Sequence, residues 1–588
     1  MFGHTIKTQI ARVVITSFIR LLKRALHFEV VRCDNSGMRR TAVALLLVPV
    51  FLLAQDREPN DLAVISRIKT EAFDHSRVMD TLGYLTDING PRLTASPGFK
   101  QAADWAVKRL QSYGVINIQQ EKWGPFGRSW NLKQASAEVI EPGYSPLDAS
   151  AMAWSDSTPG PVSGEVLAAP YPAASQDPRK VEESLKKYMS EWKGKLKGRV
   201  VLVTPKTTIR PEILPSFLRY SDRELADLAA APPPVPKLFE IPDLKDVKFP
   251  EDAEQARLFQ ASLPSWITEA LAKQRTELNA RRTKFLKDEG VVAVLSTGGT
   301  SHEGLVFAQA AGPYDAKYEL APPSFVVTAE QYNRMLRQLE AKVNVRVRVN
   351  LQADSSKENV DSVNITGEIP GGAKKDELVM IGAHFDSWHS GTGATDNAAG
   401  SAVMIEVMRI LKALNLKVDR TVRIALWSGE EQGLLGSKAY VKQHFGDPDT
   451  MKLVEEAHAK FSGYFNLDNG SGKIRGVYLQ GNDAMRPIFE RWLSPFRDQG
   501  VSTISIRNTG GTDHLSFDAV GLPGFQFIQD PLEYNTLTHH SNMDTLDHVQ
   551  AADMMQASAV IAAIVYDAAN RPEKLPRKEL PQAKPIAK

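Results

Sequence analysis

Residues 377–414 read ELVMIGAHFDSWHSGTGATDNAAGSAVMIEVMRILKAL, and their organisation decides the fold. The opening ELVMIG is a short, uninterrupted apolar run, as expected of a strand buried on both faces. His384, Asp386 and Asp396 follow in a polar, glycine-containing loop. From Asn397 to Leu414 the apolar positions Ala402, Ile405, Met408, Leu411 and Leu414 recur at helical spacing. Strand, loop and helix in that order make one unit of an α/β sheet.

The same pattern recurs on both sides. TVRIALW (421–427) is a second buried strand that ends at Glu430–Glu431, ahead of a helix from about Gly433. FSGYFNL (461–467) is a third, ending at Asp468. Upstream, VNVRVRV (343–349) alternates like a half-exposed strand. Residues 61–113 are helical in pattern, interrupted by the turn signal Asn89-Gly90-Pro91-Arg92. The expected fold class is α/β, with a mixed, largely parallel sheet flanked by helices. In open α/β sheets the ligand site lies beyond the carboxyl ends of the strands. That rule gathers His384, Asp386, Asp396, Glu430, Glu431 and Asp468 at one edge, with His540 in the later stretch Thr538-His539-His540-Ser541.

Neutral imidazole nitrogen and carboxylate oxygen are normal zinc ligands. Two histidines and three carboxylates suffice for two ions if one carboxylate bridges them, and paired metals recur in hydrolases. Asp386 is spaced to orient His384, because ligating histidines usually donate their second N–H to a carboxylate. Adjacent Glu430 and Glu431 admit a division of labour, one binding metal and the other moving a proton.

Five motifs in fixed order carry a family resemblance: GAHFDSW (382–388), GATDNAAGSA (393–402), WSGEEQGLLGS (427–437), FNLDNGS (465–471) and HHSNMDT (539–545). Together with NGPRLTASPGFKQAADWAVKRLQSYG (89–114) they resemble the co-catalytic di-zinc exopeptidases, the family of bacterial leucyl aminopeptidases and carboxypeptidase Q-like enzymes. The resemblance implies that His384, Asp396 and Asp468 hold one Zn2+ ion. Asp396, Glu431 and His540 would hold a second, with Asp396 bridging. Glu430 would be the general base and acid, supported by Asp386. His540 is preferred to His539 because it opens the H-S-x-x-D-T pattern. The resemblance further implies a cis Asp396–Asn397 peptide; Asn397 stands where some relatives have a second Asp. Gly511-Thr512-Asp513-His514 resembles a segment near the family's substrate pocket, and a structural turn is an equal reading. The substrate implied is a peptide. Alternatives on the same fold are a glutaminyl cyclase and a non-catalytic receptor; the presence of all five ligands and the base disfavours the receptor.

The stretch 151–335 differs in character, with frequent Pro and Gly and short β-rich runs such as RVVLV (199–203) and VVAVL (291–295). It resembles an inserted protease-associated domain with a long insertion of its own, the residues 206–285. The expected organisation is therefore a leader (1–54), the first part of the peptidase domain (55–150), the inserted domain (151–335), the catalytic part (336–570) and a disordered Pro- and Lys-rich tail (571–588).

Composition of 43% hydrophobic and 24% charged residues is that of a globular protein and excludes a disordered or collagen-like chain. A net charge of +2 gives no global field to attract nucleic acid. Arg39-Arg40 followed by TAVALLLVPVFLL (41–53) and Ala54 reads as a cleaved signal peptide. The run is shorter than the roughly 20 residues of a membrane-spanning helix, so no stable span remains after cleavage. Met38 is a candidate start of the signal. Residues 1–54 hold eight Lys and Arg against two Asp and Glu, so their removal takes the net charge from +2 to −4 and takes the single cysteine, Cys33, with them. The expected location is secreted or periplasmic. N-terminal sequencing of protein recovered outside the cytoplasm should find a chain beginning just after Ala54; a mature chain that still contains Cys33 refutes the reading.

Overall fold

Apolar side chains on both faces of a strand require cover on both faces, and the central strands have it. In the computed structural model, which describes residues 60–172, 175, 177–209, 215–250, 252–298 and 303–585, Val379, Met380, Ile381 and Ala383 are fully buried. The expected leader, its cleavage site, Met38 and Cys33 lie outside the described residues.

These strands belong to an eight-stranded mixed sheet. Its order is Ile116–Gly127, Val360–Ile369, Arg420–Trp427, Lys374–His384, Phe461–Asn466, Gly524–Gln529, Ile474–Tyr478 and Thr503–Ser505. The four central strands are mutually parallel. Register aligns His384 with Trp427 on one neighbour and Gly382 with Asn466 on the other. The residues just beyond these three strand ends therefore emerge side by side, and the first ligand loop, the Glu430–Glu431 pair and Asp468 share one edge.

Helices cover the sheet. Pro97–Ser112 is capped by Ser96, whose Oγ accepts from the Phe99 N–H at 3.1 Å, and starts on Pro97. The helix Ala399–Ala413 is buried on nearly every side, which fits a helix that is apolar all round. It begins two residues later than the sequence pattern suggests. The chain leaves helical geometry at Asp396 and Asn397, which are joined by a cis peptide, and only then enters the helix. Gly400 permits the close approach there: a Cβ would lie 2.4 Å from both Asn397 Oδ1 and Leu467 O. The same helix carries a buried ion pair. Arg409 Nε and Nη2 donate to Glu406 at 2.9 Å each, Arg409 Nη1 donates to Glu71, and Glu406 also accepts from the Arg77 N–H.

A second eight-stranded sheet is built from residues between 130 and 355. Its order is Ser145–Pro146, Trp130–Glu141, Arg346–Ser355, Val162–Ala168, Arg199–Leu202, Ala293–Ser296, Ser324–Val327 and Ala149–Ala151. Trp130–Glu141 and Arg346–Ser355, which flank the 151–335 stretch, zip together antiparallel from Trp130↔Ser355 to Glu141↔Arg346. Residues 206–285 hold most of a long helix, Ser265–Asp288, and a small core of Val247, Leu263, Trp266, Ile267 and Leu271. A short stretch ahead of that core ties back to the first sheet. Leu218 and Leu532 exchange backbone hydrogen bonds of 2.9 and 2.8 Å, and Arg219 reaches Asp530 and Asp553 at 2.8 Å each.

The tail departs from the expected disorder. Residues 571–585 lack helix and strand but are held by specific contacts. Leu575 is buried in the space left open over Gly463, Arg577 Nη2 donates to the carbonyls of His458 and Phe461 at 2.7 Å, and Lys578 Nζ donates to Gln480 O at 2.7 Å. Composition marked this segment as polar; one apolar anchor and two basic side chains suffice to dock it.

Removing one partner of a buried ion pair leaves a charge without compensation and typically costs about 3–5 kcal/mol. Arg409→Ala, which leaves the buried Glu406 carboxylate without a cation, should therefore lower the stability measured by urea unfolding by about that amount, and a loss under about 1 kcal/mol would show that the pair is not a determinant of the fold.

Candidate metal centre

Asp396 is the hub of the site. The turn before the helix Ala399–Ala413 points its carboxylate at two histidines from opposite ends of the sequence. His384 Nε2 lies 3.0 Å from Oδ1, and His540 Nε2 lies 3.1 Å from Oδ2. Each histidine has a second carboxylate beside it. Asp468 Oδ1 is 3.5 Å from His384 Nε2, and Glu431 Oε2 is 2.9 Å from His540 Nε2. Glu430 stands apart from these contacts, its nearest approach to a histidine being 4.0 Å, to His384 Nε2. His539 is adjacent but farther, 3.7 Å from Asp396 Oδ2, with its ring stacked on Tyr534. The structure thus brings together every site residue read from the sequence.

Asp386 sits behind this cluster, fully buried. Its Oδ2 accepts from Thr94 Oγ1 at 2.7 Å, and its two oxygens accept from the N–H groups of Glu430 and Glu431 at 3.3 and 3.4 Å. The expected carboxylate contact to His384 is not made: the Asp386 backbone carbonyl accepts from His384 Nδ1 at 3.0 Å, while Oδ1 lies 3.7 Å away and both carboxylate oxygens are committed to Thr94 and the Glu430–Glu431 backbone. The loop following the first strand thereby fixes both the His384 ring and the start of the Glu430–Glu431 turn.

Several groups at the site were not assigned a role from sequence. Arg92 is completely buried and donates to four carbonyls: Phe385 and Gly393 at 2.8 Å, Leu85 and Thr392 at 2.9 Å. It pins both ends of the loop from His384 to Asp396. Burial lowers its guanidinium to about 10, against the pull of Asp544, Asp386 and Asp396. Asp544 accepts from the Thr395 N–H at 2.6 Å and from Thr395 Oγ1 at 2.8 Å, holding the turn that carries Asp396. Asp513 and His514 are fully buried, and Asp513 feels the charges of His384 and Asp468. Gln309, from the second sheet's segment, lies 2.8 Å from His540 Nδ1. Arg92 and Asp544 fall inside motifs quoted above and could have been marked; Gln309 falls in none.

The electrostatics show more negative charge than the enclosed space holds comfortably. Burial pushes Glu430 well above the usual carboxylate range, with Asp468 and Asp513 adding to the effect. Burial and Asp396 raise Glu431 to about 7, and burial raises Asp513 and Asp544 to about 7 as well. Against the cost of burial, Asp468 and Glu430 lift His384 well above its ordinary value, and Glu431 and Asp396 lift His540 to about 11. Cations are what this environment favours.

The donor set fits a metal. His384 donates from Nδ1, so its neutral form directs the Nε2 lone pair at Asp396 Oδ1, an arrangement that needs a positive charge between them. Asp396 Oδ2 and Glu431 Oε1 are buried without an aligned hydrogen bond, although His540 Nε2 is close to the former. Two groups of ligand atoms close enough to share an ion occur among the described residues, His384 with Asp396 and Glu431, and Asp396 with His539 and His540.

Comparison with known proteins agrees with this picture. The chain is 30% identical to carboxypeptidase Q of Bos taurus over 255 residues, 43% of this chain and 51% of that protein. It is 27% identical to aminopeptidase YwaD of Bacillus subtilis over 311 residues, 49% of this chain and 64% of that protein. It spans about half the length of the curated carboxypeptidase Q relatives that it matches. A solved peptidase M28 precursor from Shewanella amazonensis superposes with a TM-score of 0.60 at 24% identity, covering 88% of this chain and 98% of that one, and so shares the fold. Residues 364–565, which hold the whole cluster from His384 to Asp544, match the model of Peptidase family M28.

Proposed function

We propose that the chain is a zinc-dependent exopeptidase that hydrolyses terminal peptide bonds of peptides or dipeptides, with preference for a free amino end. The observation that supports it most directly is the placement of two histidines on opposite oxygens of Asp396, each beside a further carboxylate. In this reading His384, Asp396 and Asp468 hold one ion, and Asp396, Glu431 and His540 hold the second. Two zinc ions, when bound, supply Lewis acidity that polarises a carbonyl and makes water nucleophilic near neutral pH.

The chain's own groups do the rest. Glu430 is buried and holds no place among the ligand contacts, and burial raises its carboxyl well above the usual range, which makes its ionised form a stronger base. It is placed to take a proton from the attacking water and pass it to the departing amine. Asp386 acts through others, fixing the His384 ring and the Glu430 and Glu431 backbone. Trp388, buried beside His540, narrows access to the centre.

Selectivity for the amino end follows from charge. Asp396, Glu430, Glu431 and Asp468 line the reacting position with Asp386 behind them, and these five carboxylates outweigh two divalent ions, so a protonated α-amine suits the field better than a terminal carboxylate. Arg92, the cation behind the site, has its N–H groups engaged by four carbonyls and is buried away from any substrate. The names of the relatives, an aminopeptidase and a carboxypeptidase, leave both ends in play. Among the described residues no helix is long and apolar enough to cross a membrane.

Dialysis against a chelator should abolish hydrolysis of short peptides, and added zinc should restore it. Full activity in metal-free protein would reject the reading. Glu430→Gln should retain the metal and lose about 10²–10⁴-fold in kcat, the usual contribution of general acid–base catalysis. Near-normal turnover in that variant would move the proton carrier elsewhere. On a common peptide, N-acetylation should strongly suppress cleavage while C-terminal amidation is tolerated; the reverse pattern would assign a carboxypeptidase, and rapid internal cleavage of doubly blocked peptides would rule out an exopeptidase.

A further inference from the structure

The two histidines of the cluster are steadied from different parts of the molecule. His384 has its Nδ1 partner in its own loop, the Asp386 carbonyl at 3.0 Å. His540 meets the side chain of Gln309, 231 positions earlier in the chain, at 2.8 Å. We propose that Gln309 is a positioning residue for His540, donated by the segment that builds the second sheet, and that it sets metal affinity on the His540 side of the site. This rests on the reading of His540 as a ligand.

The backbone around both residues is built for the contact. His540 has φ 60°, a left-handed conformation uncommon outside glycine and one that surroundings must maintain. Two residues on, Asn542 locks the two segments together. Its N–H donates to Val306 O at 3.0 Å, and its Oδ1 accepts from the Val306 N–H at 2.9 Å. On the other side of Gln309, its carbonyl accepts from the Ala153 N–H at 2.9 Å, and the Ala311 N–H donates to Ala153 O at 2.9 Å. The Gln309 side chain therefore leaves a backbone tied to the second sheet's segment on one flank and to the His540 loop on the other. Trp388 closes the remaining side, edge-on to the His540 ring with centroids 6.3 Å apart.

The amide suits the task chemically. A neutral imidazole that offers Nε2 to a metal must carry its proton on Nδ1, and that proton needs an acceptor. As placed, the Gln309 NH2 faces Nδ1, which puts the ring proton on Nε2, 2.9 Å from Glu431 Oε2. A half-turn of the amide presents Oε1 to Nδ1 instead and frees Nε2. Glutamine carries both an acceptor and a donor at nearly the same place, so it can partner either tautomer. Leucine can partner neither. Glutamate can partner only the form that binds metal, and as an anion it raises ligand basicity.

The test uses full-length wild type, Gln309→Leu and Gln309→Glu, titrated with zinc against a chromophoric chelator. Metal stoichiometry and the melting temperature of each metal-free form are measured alongside. Loss of an outer partner typically costs 10–100-fold in metal affinity. Gln309→Leu should therefore weaken one of the two sites by about that factor. Gln309→Glu should match or exceed wild type, with all three metal-free forms melting together. Unchanged affinity in Gln309→Leu would overturn the proposal while leaving the metal reading intact. Equal weakening in Gln309→Glu, or a fall in affinity that only follows a fall in melting temperature, would reduce Gln309 to a structural contact and overturn it too. Wild type that binds no zinc would remove the metal reading itself, and this inference with it.

Discussion

Crowding carboxylates into a largely buried space is the constraint around which the molecule is arranged. Asp386, Asp396, Asp468, Asp513 and Asp544 are almost wholly buried, and Glu430 nearly so. Each unpaired charge there would be costly, and each pair close together would repel. The answer is visible in the partners. Backbone N–H groups take up Asp386, a threonine takes up Asp544, and two imidazoles take up Asp396. What is left over is a small region of negative potential with lone pairs converging on it, which is how a protein prepares a place for cations.

That arrangement depends on registers more than on loops. Parallel pairing of three central strands sets His384, Glu430 and Asp468 at one level, so that short turns suffice to bring their side chains together. The remaining ligand positions need longer reach. Asp396 is aimed by a break in helical geometry and held by Thr395 and Asp544. His540 arrives on a loop stabilised from three sides: by Leu218 against Leu532, by Thr536 Oγ1 donating to Ser216 O at 2.7 Å, and by Gln309. Arg92 is the counterpart on the inner side, one guanidinium satisfying carbonyls at both ends of the His384–Asp396 loop. Its planar fork of donors makes this possible where a lysine would leave carbonyls unpaired.

The strands and the convergence of His384, Glu430 and Asp468 were legible in the sequence because apolar runs that end in His, Asp or Glu carry their own explanation. ELVMIG could be read as a doubly buried strand, and His384 followed from its position at the end. The start of the next helix was misplaced by two residues, since Asn397 and Ala398 fit a helical pattern while the backbone there serves Asp396 instead. The tail was misread because Pro and Lys dominate its composition, whereas its docking depends on Leu575 fitting over a glycine. Gln309 was invisible for a different reason. Its importance comes from what it faces, and a lone amide in a β-rich stretch has no spacing or periodicity to announce that. Asp513 lay in a quoted segment; the structure buries it completely, where the charges of His384 and Asp468 act on it.

Chain order gives the inter-segment ties a temporal meaning. Synthesis runs from the N-terminus, and domains generally fold as units in that order. The second sheet, with strands drawn from residues 130–355, can pair before the central strands of the first exist as a set. Arg92 must then wait for carbonyls about 300 positions later, Arg219 for Asp530 and Asp553, and Gln309 for His540. Contacts of such separation carry a large closure cost and form late. The helix Ala551–Asn570, buried along most of its length, comes later still. A growing chain therefore lays down the second sheet and most of the first before His540 exists, and the cluster around Asp396 closes only once that residue has emerged.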